Sequence, residues 1–244
     1  LTTFADCRAR PAVVYCGSLF VVLASGVPYF CLIQPWDCPL AHLGIVLMAY
    51  LGSCILAIVV EVVFFKTESN GILSLGLSVL GIFYIGMLIS VLILLRFISD
   101  DQWKSLPLIS LLLTVKMGDI GAYTVGRLVG KHRLAPRLSP GKTIEGVLGG
   151  LLFSVGGAFL AFRMVPTWIH VQIPPFPWWQ LVAYGLLVGA AGVLGDLAES
   201  LLKRNAQQKD SSGWLPGFGG VLDLIDSLLL AGPISYIFWL LVLI

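Results

Sequence analysis

Charged side chains are scarce in this sequence, at 11% of 244 residues, against roughly a quarter in ordinary soluble domains. With 58% hydrophobic residues and a mean hydropathy of +0.95, a water-soluble globule is excluded. The net charge is only +2, so there is no electrostatic case for binding nucleic acid. The five cysteines (Cys7, Cys16, Cys31, Cys38 and Cys54) all fall in the first quarter and form no CxxC pair. That argues against a zinc site or a disulfide scaffold and for core filler. The three histidines, His42, His132 and His170, are scattered without a partner pattern, which argues against a catalytic histidine. No repeat, low-complexity tract or linker marks a second soluble domain, and Leu1 in place of Met leaves an upstream segment or signal open.

Long apolar runs are abundant. They extend from about Val13 to Ile33, Leu40 to Phe65, Gly71 to Leu95, Leu106 to Val125, Gly146 to Trp168, Trp178 to Ala198 and Gly219 to Ile244, each long enough to cross a bilayer. The expected fold is an all-α polytopic integral membrane protein of about seven transmembrane helices with short loops. Residues 1–105 would form three N-terminal spans and residues 106–244 a catalytic transmembrane region. Gly232 and Pro233 suggest a break in the last span, and the Gly-rich run from Gly71 could hide a kink or a re-entrant piece. Eleven of the fifteen Lys and Arg residues fall on one side: Arg8, Arg10, Lys66, Arg127, Lys131, Arg133, Arg137, Lys142, Lys203, Arg204 and Lys209. The positive-inside rule turns that side to the cytoplasm, with the N-terminus in and the C-terminus out. Trp168, Trp178 and Trp179 flank the opposite, Pro-rich loop as interfacial aromatics do.

Six acids lie in or at the ends of these spans: Glu61, Asp119, Asp196, Glu199, Asp223 and Asp226. By insertion scales a carboxylate at mid-span costs about 2.5–3.5 kcal/mol, so each calls for a purpose or a partner. Asp196, Glu199, Ser200 and Lys203 follow i, i+3, i+4, i+7 spacing, one face of a helix, and Asp223 and Asp226 form an i, i+3 pair. Two helices with carboxylates at similar depth suit Mg2+, which takes hard oxygen ligands and keeps water and substrate phosphate as the others. The competing reading is a set of salt bridges to Lys203, Arg204 and Lys209. Asp119 has Lys116 one turn earlier and Tyr123 and Arg127 one and two turns later. That face either leads cations to the cytoplasmic mouth or holds an internal Lys116–Asp119 pair. Glu61 beside Lys66 reads equally well as an end-of-span residue that snorkels.

The segment GRLVGKHRLAPRLSPGKTIEG carries five cations with Ser139, Gly141 and Thr143, a composition that grips a polyanion or a lipid headgroup. It is not a Walker motif, because Pro136 stands where the first Gly belongs and no strand is expected before it. A second segment, SLLKRNAQQKDSSGWLPGFGG, adds Lys203, Arg204, Lys209 and Asp210 and runs into the Asp223 and Asp226 helix. The pairs Gly126 and Gly130, Gly146 and Gly150, and Gly185 and Gly189 are read as close helix packing. Carboxylates for a divalent metal, cationic loops and a membrane setting fit transfer of a phosphorus group between a nucleotide or polyphosphate and a lipid phosphate. Such transfer depends on positioning and charge neutralisation and requires no protein nucleophile.

The run Ser200-Leu-Leu-Lys-Arg-x4-Lys209-Asp210, then Pro216-Gly-x-Gly-Gly220-x2-Asp223-x2-Asp226, resembles the C-terminal signature of phosphatidate cytidylyltransferases. GDIGAYTVGRLVGKHRLAPRLSPGKTIEG resembles that family's upstream motif, and the two cover roughly residues 116–228 in the family's order. The resemblance implies attack of the phosphatidic acid phosphate on the α-phosphorus of CTP, giving CDP-diacylglycerol and pyrophosphate, with Mg2+ required and Mn2+ as an alternative. It implies Asp196, Asp223 and Asp226 as metal ligands. Lys203, Arg204, Lys209 and Asp210, with Ser139, Lys142 and Thr143, would bind substrate, and Asp119, Glu145, Lys203, Asp223 and Asp226 would be catalytic. The setting it implies is a bilayer, with a cell inner membrane expected and the active site facing the cytoplasm. Gly-rich spans also permit a homodimer. Phe218 stands where the family signature usually has His, and Leu224 where it usually has Arg; the acids are intact. Three other readings compete: a related CTP-dependent lipid enzyme (polyprenol kinase or ether-lipid cytidylyltransferase), a transporter, and a scaffold with a decayed site.

Overall fold

A computed structural model of the chain describes residues 3–4, 7–30, 39–65, 70–96, 98, 105–168, 175–205 and 221–243. Seven helices account for most of them: α1 (Pro11–Phe30), α2 (Pro39–Val63), α3 (Gly71–Arg96), α4 (Leu106–Val129), α5 (Ile144–Trp168), α6 (Trp178–Asn205) and α7 (Val221–Leu243). Among the described residues, six helices are long and apolar enough to cross a membrane, and α1 carries a shorter apolar stretch, Pro11–Val27. The protein is therefore an all-helical, multi-pass membrane protein, as the seven apolar runs predict. Two short antiparallel hairpins add to the helices: β1 (Thr3–Phe4) with β2 (Cys7–Arg8), and β3 (Arg133–Ala135) with β4 (Ser139–Thr143).

Two of the expected irregularities resolve differently. The Gly-rich third span is continuous but turns π-helical over Ile82–Met87, an inserted residue's worth of extra turn that helices tolerate at close contacts. The last span, expected to break, runs unbroken through Gly232 and Pro233. Apolar surroundings favour keeping every remaining backbone hydrogen bond, so a proline bends a membrane helix more readily than it ends one.

The chain divides into two compact units, Leu1–Leu94 and Leu95–Ile244. In the first, small side chains let α1, α2 and α3 touch. Ser53 Oγ on α2 donates to Gly17 O on α1 at 3.3 Å, and Ser90 Oγ on α3 donates to Val21 O at 3.1 Å. Arg10 Nε meets Glu61 Oε2 at 3.0 Å, and Ser74 Oγ donates to the same oxygen at 3.2 Å. Glu61 is therefore a buried, paired residue rather than a snorkelling one, and it links the segment before α1 to α2 and α3.

In the second unit α4, α5, α6 and α7 pack as a bundle in which glycines mark the crossings. A Cβ on Gly185 of α6 would fall 2.6 Å from the Val155 Cα on α5, and one on Gly195 would fall 2.6 Å from Asp226 O on α7. Backbone-to-backbone approach of this kind is how small residues bring membrane helices together. Farther along the bundle, Tyr184 OH lies 2.8 Å from Ser110 Oγ and 2.8 Å from Ser235 Oγ, and Trp239 Nε1 donates to Ser110 Oγ at 3.1 Å. Phe162 stacks on Trp239 with centroids 5.2 Å apart. These contacts tie α4, α6 and α7 with hydrogen bonds that have no water to compete with them.

The glycines differ in what they tolerate. Gly185→Ala forces a methyl into the α5 backbone and is expected to cost about 1–3 kcal/mol. Gly156→Ala, at a position with nothing within 4 Å, is expected to be neutral or stabilising by up to about 1 kcal/mol through helix propensity. Thermal unfolding of both variants in one detergent measures the contrast, and equal Tm values would contradict this packing.

Candidate active site

The segment expected to be a cationic loop is a hairpin that delivers its residues to the bundle. β3 and β4 pair with Arg133 opposite Thr143 and Ala135 opposite Ser139, so SPGKT is itself a strand, leading directly into α5. Thr143 is the N-cap of α5, with extended φ −117° and ψ 153°, and its Oγ1 accepts from Gly146 N at 3.1 Å. Glu145, in the first turn, accepts the backbone N–H groups of Lys131 at 3.1 Å and His132 at 3.2 Å, and His132 Nδ1 lies 2.6 Å from its Oε1. Its carboxylate therefore clamps the start of the hairpin to the start of α5. From the other side, Arg204 Nε on α6 donates to Leu138 O in the hairpin turn at 3.3 Å.

A cavity of about 570 Å³ opens beside this hairpin, walled by α4, β4, α5, α6 and α7. Five acids line it: Asp119 from α4, Asp196 and Glu199 from α6, and Asp223 and Asp226 from α7. Each is set against a lysine or another carboxylate. Lys142 Nζ from β4 lies 2.7 Å from Asp196 Oδ2, and Lys116 Nζ lies 2.9 Å from Asp119 Oδ2. Lys203 Nζ bridges α6 and α7, 3.1 Å from Glu199 Oε2 and 2.8 Å from Asp223 Oδ1. Each carboxylate of Asp196, Glu199 and Asp226 offers an oxygen, and these all lie within 4.8 Å of one another. Glu199 and Asp226 are buried, at 3% and 6% exposure.

These three acids could hold a metal ion. Glu199 Oε1 is buried against the Asp223 and Asp226 carboxylates and accepts no hydrogen bond from a neutral or cationic donor among the described residues, a costly condition unless a cation or a shared proton meets it. An all-oxygen, all-carboxylate set suits a hard divalent cation.

The residues singled out in the sequence distribute as follows. Asp119, Lys142, Thr143, Asp196, Lys203, Asp223 and Asp226 line the one cavity. Ser139, Glu145 and Arg204 stand outside its lining and hold the hairpin. Lys209, Asp210 and Phe218 lie outside the described residues, and of Leu224 only its place in α7 is described. The salt-bridge and metal readings both find a counterpart, since Lys203 takes Asp223 while Glu199 joins Asp196 and Asp226. Glu199 belongs to the helical face that the spacing offered for Mg2+, but not to the ligand set that the resemblance implies, Asp196, Asp223 and Asp226.

The chain matches the family model described as "Cytidylyltransferase family" over residues 9–242. It belongs to the cytidylyltransferase family. It is 38% identical to a phosphatidate cytidylyltransferase of Chlamydia muridarum (strain MoPn / Nigg) over 170 residues, which are 67% of this chain and 54% of that protein. It is also 38% identical to proteins of the same name from Bacillus subtilis (strain 168), over 161 residues, and Brucella suis biovar 1 (strain 1330), over 163. The matches cover 66% and 67% of this chain and 56% and 57% of those relatives. The chain spans about half the length of the curated relatives it matches. The two motif segments of this cytidylyltransferase family member, noted in the sequence, both reach the cavity, through Lys142 and Thr143 in one and Lys203, Asp223 and Asp226 in the other.

Because Glu145 holds the hairpin by accepting two backbone N–H groups, Glu145→Ala is expected to loosen it without dismantling the bundle. Limited trypsin digestion should then cut after Lys131 or Arg133 severalfold faster than in the wild type. Unchanged cutting would show that the clamp does not hold the hairpin.

Proposed function

We propose that this chain transfers the cytidylyl group of CTP to phosphatidic acid, forming CDP-diacylglycerol and pyrophosphate at a membrane. The observation that carries this reading is the cavity. It gathers five acids and three lysines from the two motif segments and the helical turns just before them, in a chain whose relatives are named phosphatidate cytidylyltransferases.

A non-bridging oxygen of the lipid phosphate forms a bond to the α-phosphorus of CTP, the bond from that phosphorus to the α,β-bridging oxygen breaks, and pyrophosphate leaves. The attacking oxygen is already anionic, so no protein nucleophile and no general base are required. Catalysis then consists of positioning and charge neutralisation. Asp196, Glu199 and Asp226 would hold Mg2+, with Mn2+ as an alternative, and the ion when bound would offset phosphate charge and polarise the α-phosphorus. Lys142 would meet the nucleotide phosphates from the hairpin. Lys203 would orient the Glu199 and Asp223 carboxylates across α6 and α7 and keep the cavity's net charge low enough for a triphosphate to enter. Ser139, Glu145 and Arg204 would act by holding the hairpin that carries Lys142, and Thr143 would cap α5. Asp119 would line the acceptor side, and Lys209 and Asp210 would add to phosphate binding from the segment before α7. On this reading residues 106–244 are the catalytic region. The hairpin and the end of α6 would face the cytoplasm, where CTP is found, with the N-terminus on that side of an inner membrane.

The test is pyrophosphate release by the purified protein in detergent with phosphatidic acid and Mg2+, comparing CTP with ATP, GTP and UTP. Lipid-dependent release with CTP alone is expected, together with a cytidylylated lipid. Formation of CDP in place of pyrophosphate would mark a kinase and overturn the proposal. Losing an outer-shell partner typically costs about 10–100-fold, so Asp226→Asn or Glu199→Gln should lose at least about 100-fold in turnover, and EDTA should abolish it. Ordinary turnover in either variant would remove that residue from the metal set.

A further inference from the structure

Lys116 is a cation in the middle of a membrane-spanning helix, ten residues after the start of α4 at Leu106. At about 1.5 Å per residue it lies roughly 16 Å along the axis from Arg127, near the cytoplasmic-loop end of α4. It is therefore well below the level of the hairpin cations. Its partner Asp119 is one turn away, and the two side chains are 47% and 45% exposed while also lining the cavity. The same helical face carries exposed apolar side chains, Leu112 and Ile120, at i−4 and i+4 from Lys116, with the amphipathic Tyr123 at i+7. One wall of the cavity thus combines exposed apolar side chains with a half-exposed ammonium group.

The two substrates proposed above differ in how they can arrive. A nucleotide comes from water and meets Lys142 and Lys203 first. The acceptor lipid must keep its chains in the bilayer while its phosphate reaches the acids, so it has to pass a wall that is apolar outside and cationic within. Charged residues at this depth are costly and mark pathways or sites, and a phosphate monoester is the ligand an ammonium at such a wall matches best.

We propose, on the basis of the cytidylyl-transfer reading, that Lys116 receives the phosphate of the acceptor lipid at a lateral opening in the α4 wall, with Asp119 holding the ammonium in register. Arg127 and Tyr123, joined by a 2.9 Å hydrogen bond, stand nearer the hairpin on the same helix and are the first polar groups a descending headgroup meets.

Kinetics in mixed micelles read this directly, by varying the surface fraction of phosphatidic acid at saturating CTP and then CTP at saturating lipid. Lys116→Met should raise the apparent KM for lipid by about tenfold and leave the KM for CTP within about twofold, and Lys116→Arg should restore most of the loss. An unchanged lipid KM in Lys116→Met, or equal losses for both substrates, would overturn the proposal. A second measurement needs neither turnover nor a folded variant. A short-chain phosphatidic acid bearing a diazirine beside its glycerol should label the wild-type protein within residues 112–123. Labelling confined to other helices would overturn the assignment. Glycerol 3-phosphate should not displace the label, and if it displaced it as well as phosphatidic acid does, the site would serve soluble phosphates rather than a lipid. A wild type that labels on α4 but releases no pyrophosphate with any nucleotide would sink the cytidylyl-transfer reading and leave the α4 lipid-phosphate site standing.

Discussion

The bridge made by Lys203 between Glu199 and Asp223 is the contact on which the cavity-bearing unit depends. Carboxylates in an apolar bundle repel one another without water to screen them, and a lone buried charge costs several kcal/mol. One ammonium shared by acids on α6 and α7 removes much of that repulsion and sets how the two helices face each other. The close approach follows from the same place, because Gly195 lets α6 lie against the Asp226 carbonyl. With a side chain there, the acids on the two helices could not converge. Glycine packing and charge pairing are thus one device: the first brings the carboxylates together, and the second makes their proximity tolerable.

The hairpin solves a different problem. A cation that serves the cavity from β4 must reach in from outside the bundle, and a bare loop would hold it poorly. Pairing β3 with β4, capping α5 with Thr143, and anchoring the two ends of the hairpin through Glu145 and Arg204 fix the backbone around Lys142. Its ammonium can then lie 2.7 Å from Asp196, on a helix more than fifty residues away in sequence. The polar groups of the segment are mostly used for holding itself in place, which leaves Lys142 to face the cavity.

The helices were legible in the sequence because hydrophobic length is a strong signal in membranes. Leu106 and Trp178 begin α4 and α6 where the apolar runs begin, and the ends run a few residues past those runs, since charged residues such as Arg127 and Lys203 remain helical after hydropathy has fallen. The hairpin was not legible. SPGKT has neither alternating hydrophobicity nor a turn signature strong enough to separate it from a solvated loop, and its strand character comes from pairing with Arg133–Ala135. The acids were legible as a group and not as individuals. Spacing along one helix puts Asp196 and Glu199 on the same face, but which of Glu199 and Asp223 converges with Asp226 depends on the rotation and height of α6 against α7, which no one-dimensional pattern records.

Burial separates the three lysines of the cavity by the acids they meet. Lys203 is joined to Glu199, whose side chain is only 4% exposed, whereas Lys142 pairs with an Asp196 that is 41% exposed and Lys116 with an Asp119 that is 45% exposed. Pairs with one open partner contribute about 0–1 kcal/mol to stability, while removing one member of a buried pair costs about 3–5 kcal/mol. Folding therefore gives Lys203 a structural role between α6 and α7. Lys142 reaches the cavity from the hairpin with its Nζ buried, and Lys116 stands half exposed on the α4 wall. The chain thus carries one lysine that joins α6 to α7 across the cavity and two that meet more open acids.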